Sequence, residues 1–170
     1  MKIIKADYKD ITEIFHIMKQ AEKKMKYPEW YVTEDRDYIF EHVENRGMIL
    51  KAEEEGEILA FLLIHFPETE EEHLGDYLKL SDGDKRLTAY MDSVAVRPRA
   101  RGRGLQRRLL AFGEEMLRAQ GYRYLCATVH PDNRYSRANF LELGYHEVAR
   151  ALKYGGLPRI VMCKKVNVQT

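Results

Sequence analysis

Seven consecutive apolar residues, Ile58 to Ile64 (ILAFLLI), constrain this chain more than any other stretch. The run fits one strand and is far too short to span a bilayer. A strand with no polar alternation has no face to give to water. It must therefore lie inside a sheet that is covered on both sides. With the segment before it, MILKAEEEGEILAFLLIHF reads as a hairpin turning at Gly56. The rest of the chain has to supply neighbouring strands and helices for two faces.

The periodicity supplies them. Residues 2–6 read as a strand, and Asp7 is placed to N-cap a helix with Asp10 in its first turn. Ile11, Ile14, Phe15, Met18 and Ala21 then recur at helical spacing. Pro28 breaks that helix. Thr33 and the acids after it start a second one, which ends near Gly47 as its C′ residue. Residues 67–86 are polar and acidic, either a long loop or a small helical insertion. LTAYMDSVAV is a strand, Leu105, Leu109, Phe112 and Met116 mark a helix ended by Gly121, and YRYLCATV is another strand. NRYSRANFLELG is a helix with Asn133 as N-cap and Gly144 at its end; YHEVARAL and RIVMCKKV are two last strands. The order is β-α-α-β-β-β-α-β-α-β-β. It describes a mixed α/β domain on a single twisted mixed sheet of about seven strands with about four helices. No repeat or linker divides the 170 residues, so one domain, 1–170, is expected.

Cys126 and Cys163 sit in apolar, strand-like surroundings and read as reduced core thiols. No metal-ligand spacing is present, and the six histidines look scattered, with no constellation among His16, His42, His65, His73 and His146. The first ten residues lack the apolar core of a signal peptide. The expectation is a cytoplasmic protein with no membrane partner.

Between Val94 and Leu110 the chain reads VAVRPRARGRGLQRRLL, with six arginines from Arg97 to Arg108. Such a cluster suits a nucleic-acid backbone or the phosphates of one small cofactor. Net charge is only +1 and the pI about 7.8, so the rest of the chain is net acidic and the basic charge is local. A general nucleic-acid binder spreads its charge more widely. The context is strand, glycine-containing loop, helix, which points backbone N–H groups at an anion. Gly102 and Gly104 let a ligand approach the main chain, and arginines add charge-assisted hydrogen bonds. The site fits a pyrophosphate. It is neither a Walker A loop nor a Rossmann fingerprint.

Arg99-Ala-Arg101-Gly102-Arg103-Gly104, after the strand end V-A-V-x-P and before Leu105, resembles the acyl-CoA-binding motif of the GNAT superfamily of N-acetyltransferases. A second stretch, VHPDNRYSRANFLELGY, resembles that family's strand end, asparagine, short helix and closing Gly-aromatic. The resemblance covers roughly residues 2–166. It implies acetyl-CoA as cosubstrate, held in a cleft where strands 88–96 and 122–129 splay apart. Val94 and Val96 would offer backbone N–H groups freed by a bulge, Arg99, Arg101, Gly102, Arg103, Gly104 and Leu105 would hold the pyrophosphate, and Asn133 the pantetheine arm. It implies direct transfer of acetyl to a primary amine of a small molecule or protein in a ternary complex, and it is compatible with a homodimer. Asp92, the only acid of its strand, is the candidate base or amine anchor. Trp30, Tyr31 and Tyr90 are candidates for the acceptor pocket. The family's proton-donating tyrosine aligns with Phe140, which has no proton to give, and Tyr135 is the candidate substitute. A non-catalytic acyl-CoA-binding module and a nucleic-acid binder are the competing readings; neither nucleic acid nor metal is expected as a partner.

Overall fold

The computed structural model describes residues 1–167; residues 168–170 of the expected domain lie outside the described residues. The elements are β1 (Lys2–Lys5), α1 (Ile11–Lys23), α2 (Arg36–Glu44), β2 (Gly47–Glu54), β3 (Glu57–His65), α3 (Asp82–Lys85), β4 (Thr88–Val96), α4 (Leu105–Ala119), β5 (Tyr124–Val129), α5 (Arg134–Glu142), β6 (His146–Lys153) and β7 (Leu157–Lys165). The seven strands form one sheet in the order β1-β2-β3-β4-β5-β7-β6. Only β4 and β5 run parallel; every other pair is antiparallel. The expected order holds, with α3 added as a single turn inside the polar 67–86 segment.

Every residue of β3 from Ile58 to His65 is buried. On one face, α4 sets Leu105, Leu109 and Leu117 against Leu50, Leu62 and Ile64. On the other, α1 and α2 set Ile14, Ile17 and Ile39 against Ile49, Phe61 and Leu63. The apolar run is thus covered twice, as its composition demands. Its hairpin turns through Glu55 and Gly56, at φ 51° and 81°, the two left-handed residues of a turn whose twist matches the strands. The two free cysteines are buried opposite one another on β5 and β7.

Local signals place the helices. Asp7 accepts from Lys9 N–H at 2.9 Å while its own N–H donates to Asp10 at 2.9 Å, closing a capping box. Asp10 also accepts from the buried Lys51 ammonium at 2.9 Å, which fastens the start of α1 to β2. Two expectations are corrected. The cap of α2 is Asp35, which accepts from Tyr38 N–H at 2.8 Å, while Thr33 is occupied by Lys19 and Glu22. Gly47 does not end α2. It opens β2 opposite His65, and its role is close approach.

The sheet has one break. β4 pairs with β3 from Tyr90 to Val96 but with β5 only from Thr88 to Tyr90, so the parallel pair parts after three residues. In the β3 ladder Leu63 faces Ser93 and Ile64 faces Met91, which leaves Asp92 as the extra residue of a bulge.

A Cβ on Gly47 would lie 1.9 Å from the Ile64 carbonyl oxygen. Gly47→Ala should cost about 1–3 kcal/mol, the usual range for overpacking. Urea unfolding measures it, and an unchanged midpoint would show that this ladder end yields freely.

Candidate active site

The parting of β4 and β5 opens a cleft of about 460 Å³. Its walls are the second half of β4, the end of β5, the first turn of α4, the start of α5 and the 24–31 segment. Arg97 N–H donates to Leu59 on β3 at 2.8 Å. Amides alternate sides along a strand, so those of Val94 and Val96 point the other way, into the gap that β5 has vacated. Gly102 and Gly104 have φ of 79° and 69°, and a Cβ on either would meet nothing within 4 Å. Gly104 begins α4 without a side-chain cap, so the first N–H groups of a fifteen-residue helix face open space with its positive dipole end. These donors fit a pyrophosphate.

The arginines divide. Arg97 is spent on Glu13 and on the Ile58 carbonyl, at 2.8 and 2.7 Å. Arg99 pairs with Glu57, Arg103 with Glu54 and Arg107 with Glu142. Of the six arginines, only Arg101 lines the cleft, and it has no acidic partner among the described residues; Lys24 and Lys26 line the cleft as well. Arg99 and Arg103, expected to grip a pyrophosphate, are bonded to acids at the two sides of the β2–β3 turn. Leu105 is buried in the cleft wall, and Asn133 lines it while its side-chain Oδ1 accepts from Ser136 N–H at 3.2 Å.

Asp92, Trp30 and Tyr31 also line the cleft. Asp92 accepts from the Tyr38 hydroxyl at 2.8 Å. Burial raises its carboxyl above the ordinary aspartate range, and the Tyr38 hydrogen bond works against that rise. The Tyr31 hydroxyl lies 2.8 Å from Ser93 Oγ, and burial pushes its phenol up. Trp30 stacks on His130 at 5.7 Å. Tyr90 is not part of this wall. Its hydroxyl accepts from Leu74 N–H at 2.7 Å, under the 74–78 turn. Tyr135 lines the mouth but is 60% exposed, and Phe140 is buried against Tyr145 with ring centroids 4.9 Å apart.

Four groups escaped the sequence reading: Tyr38, Ser93 and the histidines of α2 and β3. His42 and His65, thought scattered, meet at 2.7 Å. Their signal was polarity inside apolar runs, His42 beside Ile39 and Val43 and His65 ending the run of β3. No group of described residues is arranged to hold a metal ion, and no described helix is long and apolar enough to cross a membrane.

The sequence matches the acetyltransferase (GNAT) family over residues 10–145. The chain belongs to that family. Members take acetyl-CoA as donor, and the free amides, open glycines and Arg101 fit its pyrophosphate and pantetheine. No curated protein matches the sequence. Solved structures share the fold. The ribosomal-protein-S18-alanine N-acetyltransferase of Escherichia coli superposes with TM-score 0.75 at 18% identity, over 99% of this chain and 96% of its own. The yncA protein of Salmonella typhimurium, in a structure with its cofactor acetyl-CoA, gives 0.74 at 23% identity over 100% and 96%. The ribosomal-protein-alanine N-acetyltransferase of Brucella melitensis gives 0.73 at 24% over 98% and 100%.

In this acetyltransferase Arg101→Ala should weaken acetyl-CoA about tenfold, the value of one charge-assisted hydrogen bond. Arg103→Ala should weaken it less, because Arg103 must give up its Glu54 partner to reach a ligand and does not line the cleft. Calorimetric titration of both variants checks the division, and equal losses would contradict it.

Proposed function

We propose that this acetyltransferase moves acetyl from acetyl-CoA to a primary amine by direct attack in a ternary complex, with Asp92 as the base. One observation carries the reading. The bulge thrusts a carboxylate into the same cleft into which the Val94 and Val96 amides point, so a proton acceptor and an oxyanion site share one cavity. The amides polarise the thioester carbonyl as charge develops on its oxygen. An alkylamine has a pKa near ~10 and arrives protonated, so Asp92 takes that proton directly or through a water. Trp30 and Tyr31 wall the acceptor side. Ser93, hydrogen-bonded to Tyr31, fixes that wall to β4.

The coenzyme A thiol, at roughly 8–9 by the cysteine reference, is acidic enough to leave as thiolate. Tyr135, a phenol of α5 that lines the cleft, hands it a proton in this reading, beside the water at the mouth. Tyr90 is dropped from the acceptor pocket, because its hydroxyl serves the 74–78 turn. A second reading, acyl-CoA binding without turnover, has Phe140 in its favour.

Free-thiol release with a panel of primary amines, beside thermal unfolding with acetyl-CoA, tests both. Turnover is expected, and Asp92→Asn should lower kcat by about 10²–10⁴ while keeping the stabilisation by acetyl-CoA. Asp92 acts as base only when ionised. Its carboxyl is raised by burial, so the rate should fall as pH drops through a value above the usual aspartate range. Stabilisation without thiol release from any amine would favour the second reading.

A further inference from the structure

Behind Asp92 three hydrogen bonds run in series. His42 Nδ1 donates to the Tyr38 carbonyl at 2.7 Å. His42 Nε2 and His65 Nδ1 are 2.7 Å apart. His65 Nε2 lies 3.0 Å from Glu70 Oε2. The carbonyl at one end and the carboxylate at the other only accept. Three such bonds need three protons. Two neutral imidazoles bring one each, so the chain must hold one more.

Its owner follows from the surroundings. His42 is fully buried, and burial lowers it to about 4, so it is the neutral Nδ1–H tautomer near neutral pH. Glu70 also accepts from Arg46 at 3.2 Å. That guanidinium favours the Glu70 carboxylate independently of His65. The third proton therefore sits on His65 as imidazolium.

That charge stands near the candidate base. His65 pairs with Tyr90, next to the register slip that expels Asp92. The Tyr38 ring stacks on His42 at 4.1 Å and lies 6.5 Å from His65, while its hydroxyl reaches Asp92. The other groups facing Asp92 favour its neutral form or carry no charge. Glu70 acts on it with negative charge, Glu34 is itself raised by burial and by Asp92, and Tyr31 and Tyr154 are phenols held above their ordinary range by burial. Among the described residues His65 opposes them with positive charge and Tyr38 with a hydrogen bond, while Lys24, Lys26 and Arg101 line the same cleft as Asp92.

We propose that the His42–His65–Glu70 chain stores one proton as a His65 imidazolium, and that this cation acts as a positioning charge which, with the Tyr38 hydroxyl, keeps Asp92 ionised. The role it gives Asp92 in turnover rests on the reading of Asp92 as base.

The test needs no ligand. Nitrogen NMR of histidine-labelled protein near neutral pH should show His65 with both ring nitrogens protonated and His42 as the Nδ1–H tautomer. A neutral His65 overturns the proposal. Carbon NMR of the aspartate carboxyls should then show the Asp92 midpoint rising by roughly one pH unit or more in His65→Gln, the effect of losing a close counter-charge. Glu70→Gln removes the carboxylate at the far end of the chain, so His65 should turn neutral in its nitrogen spectrum, and this variant serves if His65→Gln folds poorly. Its readout is His65 rather than the Asp92 midpoint, because the lost Glu70 charge also acts on Asp92. An unmoved Asp92 midpoint in His65→Gln, or a His65 that stays cationic in Glu70→Gln, also overturns the proposal. The acid limb of kcat/KM is read alongside. If the midpoint moves and the limb does not, the proton chain stands and the assignment of Asp92 as base falls.

Discussion

The structure turns on the early parting of β4 from β5. A strand inside a sheet has donors and acceptors on both edges, and leaving them unpaired away from water costs free energy. β4 keeps its antiparallel ladder with β3 to Val96 and gives up its parallel one after Tyr90. The parting holds because each strand is secured on its far side. β5 is paired with β7 along all six of its residues, and β3 secures β4. What remains between them is a wedge edged with oriented amides. α4 starts at its mouth because the chain must leave β4 there, and Gly102 and Gly104 turn it with positive φ.

The bulge does a second job. Ala89 and Met91 pack on the α4 face, and so do Val94 and Val96. The step of three between Met91 and Val94 leaves two consecutive residues, Asp92 and Ser93, for the opposite face, where Tyr38 and Tyr31 bond them. Strict alternation would have placed Asp92 with Val94. One extra residue thus aligns a carboxylate and a hydroxyl side by side against α2 and the segment before it.

Much of this was legible because it is local. Asp7 and Asn133 announce their helices by capping chemistry, Gly121 and Gly144 stop theirs with φ of 92° and 89°, and the unbroken apolar run of β3 can only be central. The wedge and the bulge came from the family likeness of the glycine loop, since LTAYMDSVAV itself carries no mark of either. What stayed hidden is long-range. Six arginines read as one basic patch, yet Glu13, Glu54, Glu57 and Glu142 neutralise four of them from other elements. His42 and His65 are 23 positions apart, and Tyr38 and Asp92 are 54 apart. Nothing in either short stretch points to its partner, because the fold makes the pair.

The sheet also separates two kinds of chemistry. Phe140 and Tyr145 pack with the α4 side of the core, so the part of the cleft wall that Phe140 supplies is apolar. Tyr38, Tyr31 and Glu34, which act on or are acted on by Asp92, belong to α2 or the segment before it. A base in water would be fully ionised but weak; a base buried alone would be strong but already protonated. Asp92 is buried enough to gain proton affinity, and the Tyr38 hydroxyl and a cationic His65 limit that gain. Loss of a thiolate needs little help, whereas stripping a proton from an ammonium does. On the proposed reading, the buried His42, His65 and Ser93 stand on the side of the sheet where the amine loses its proton.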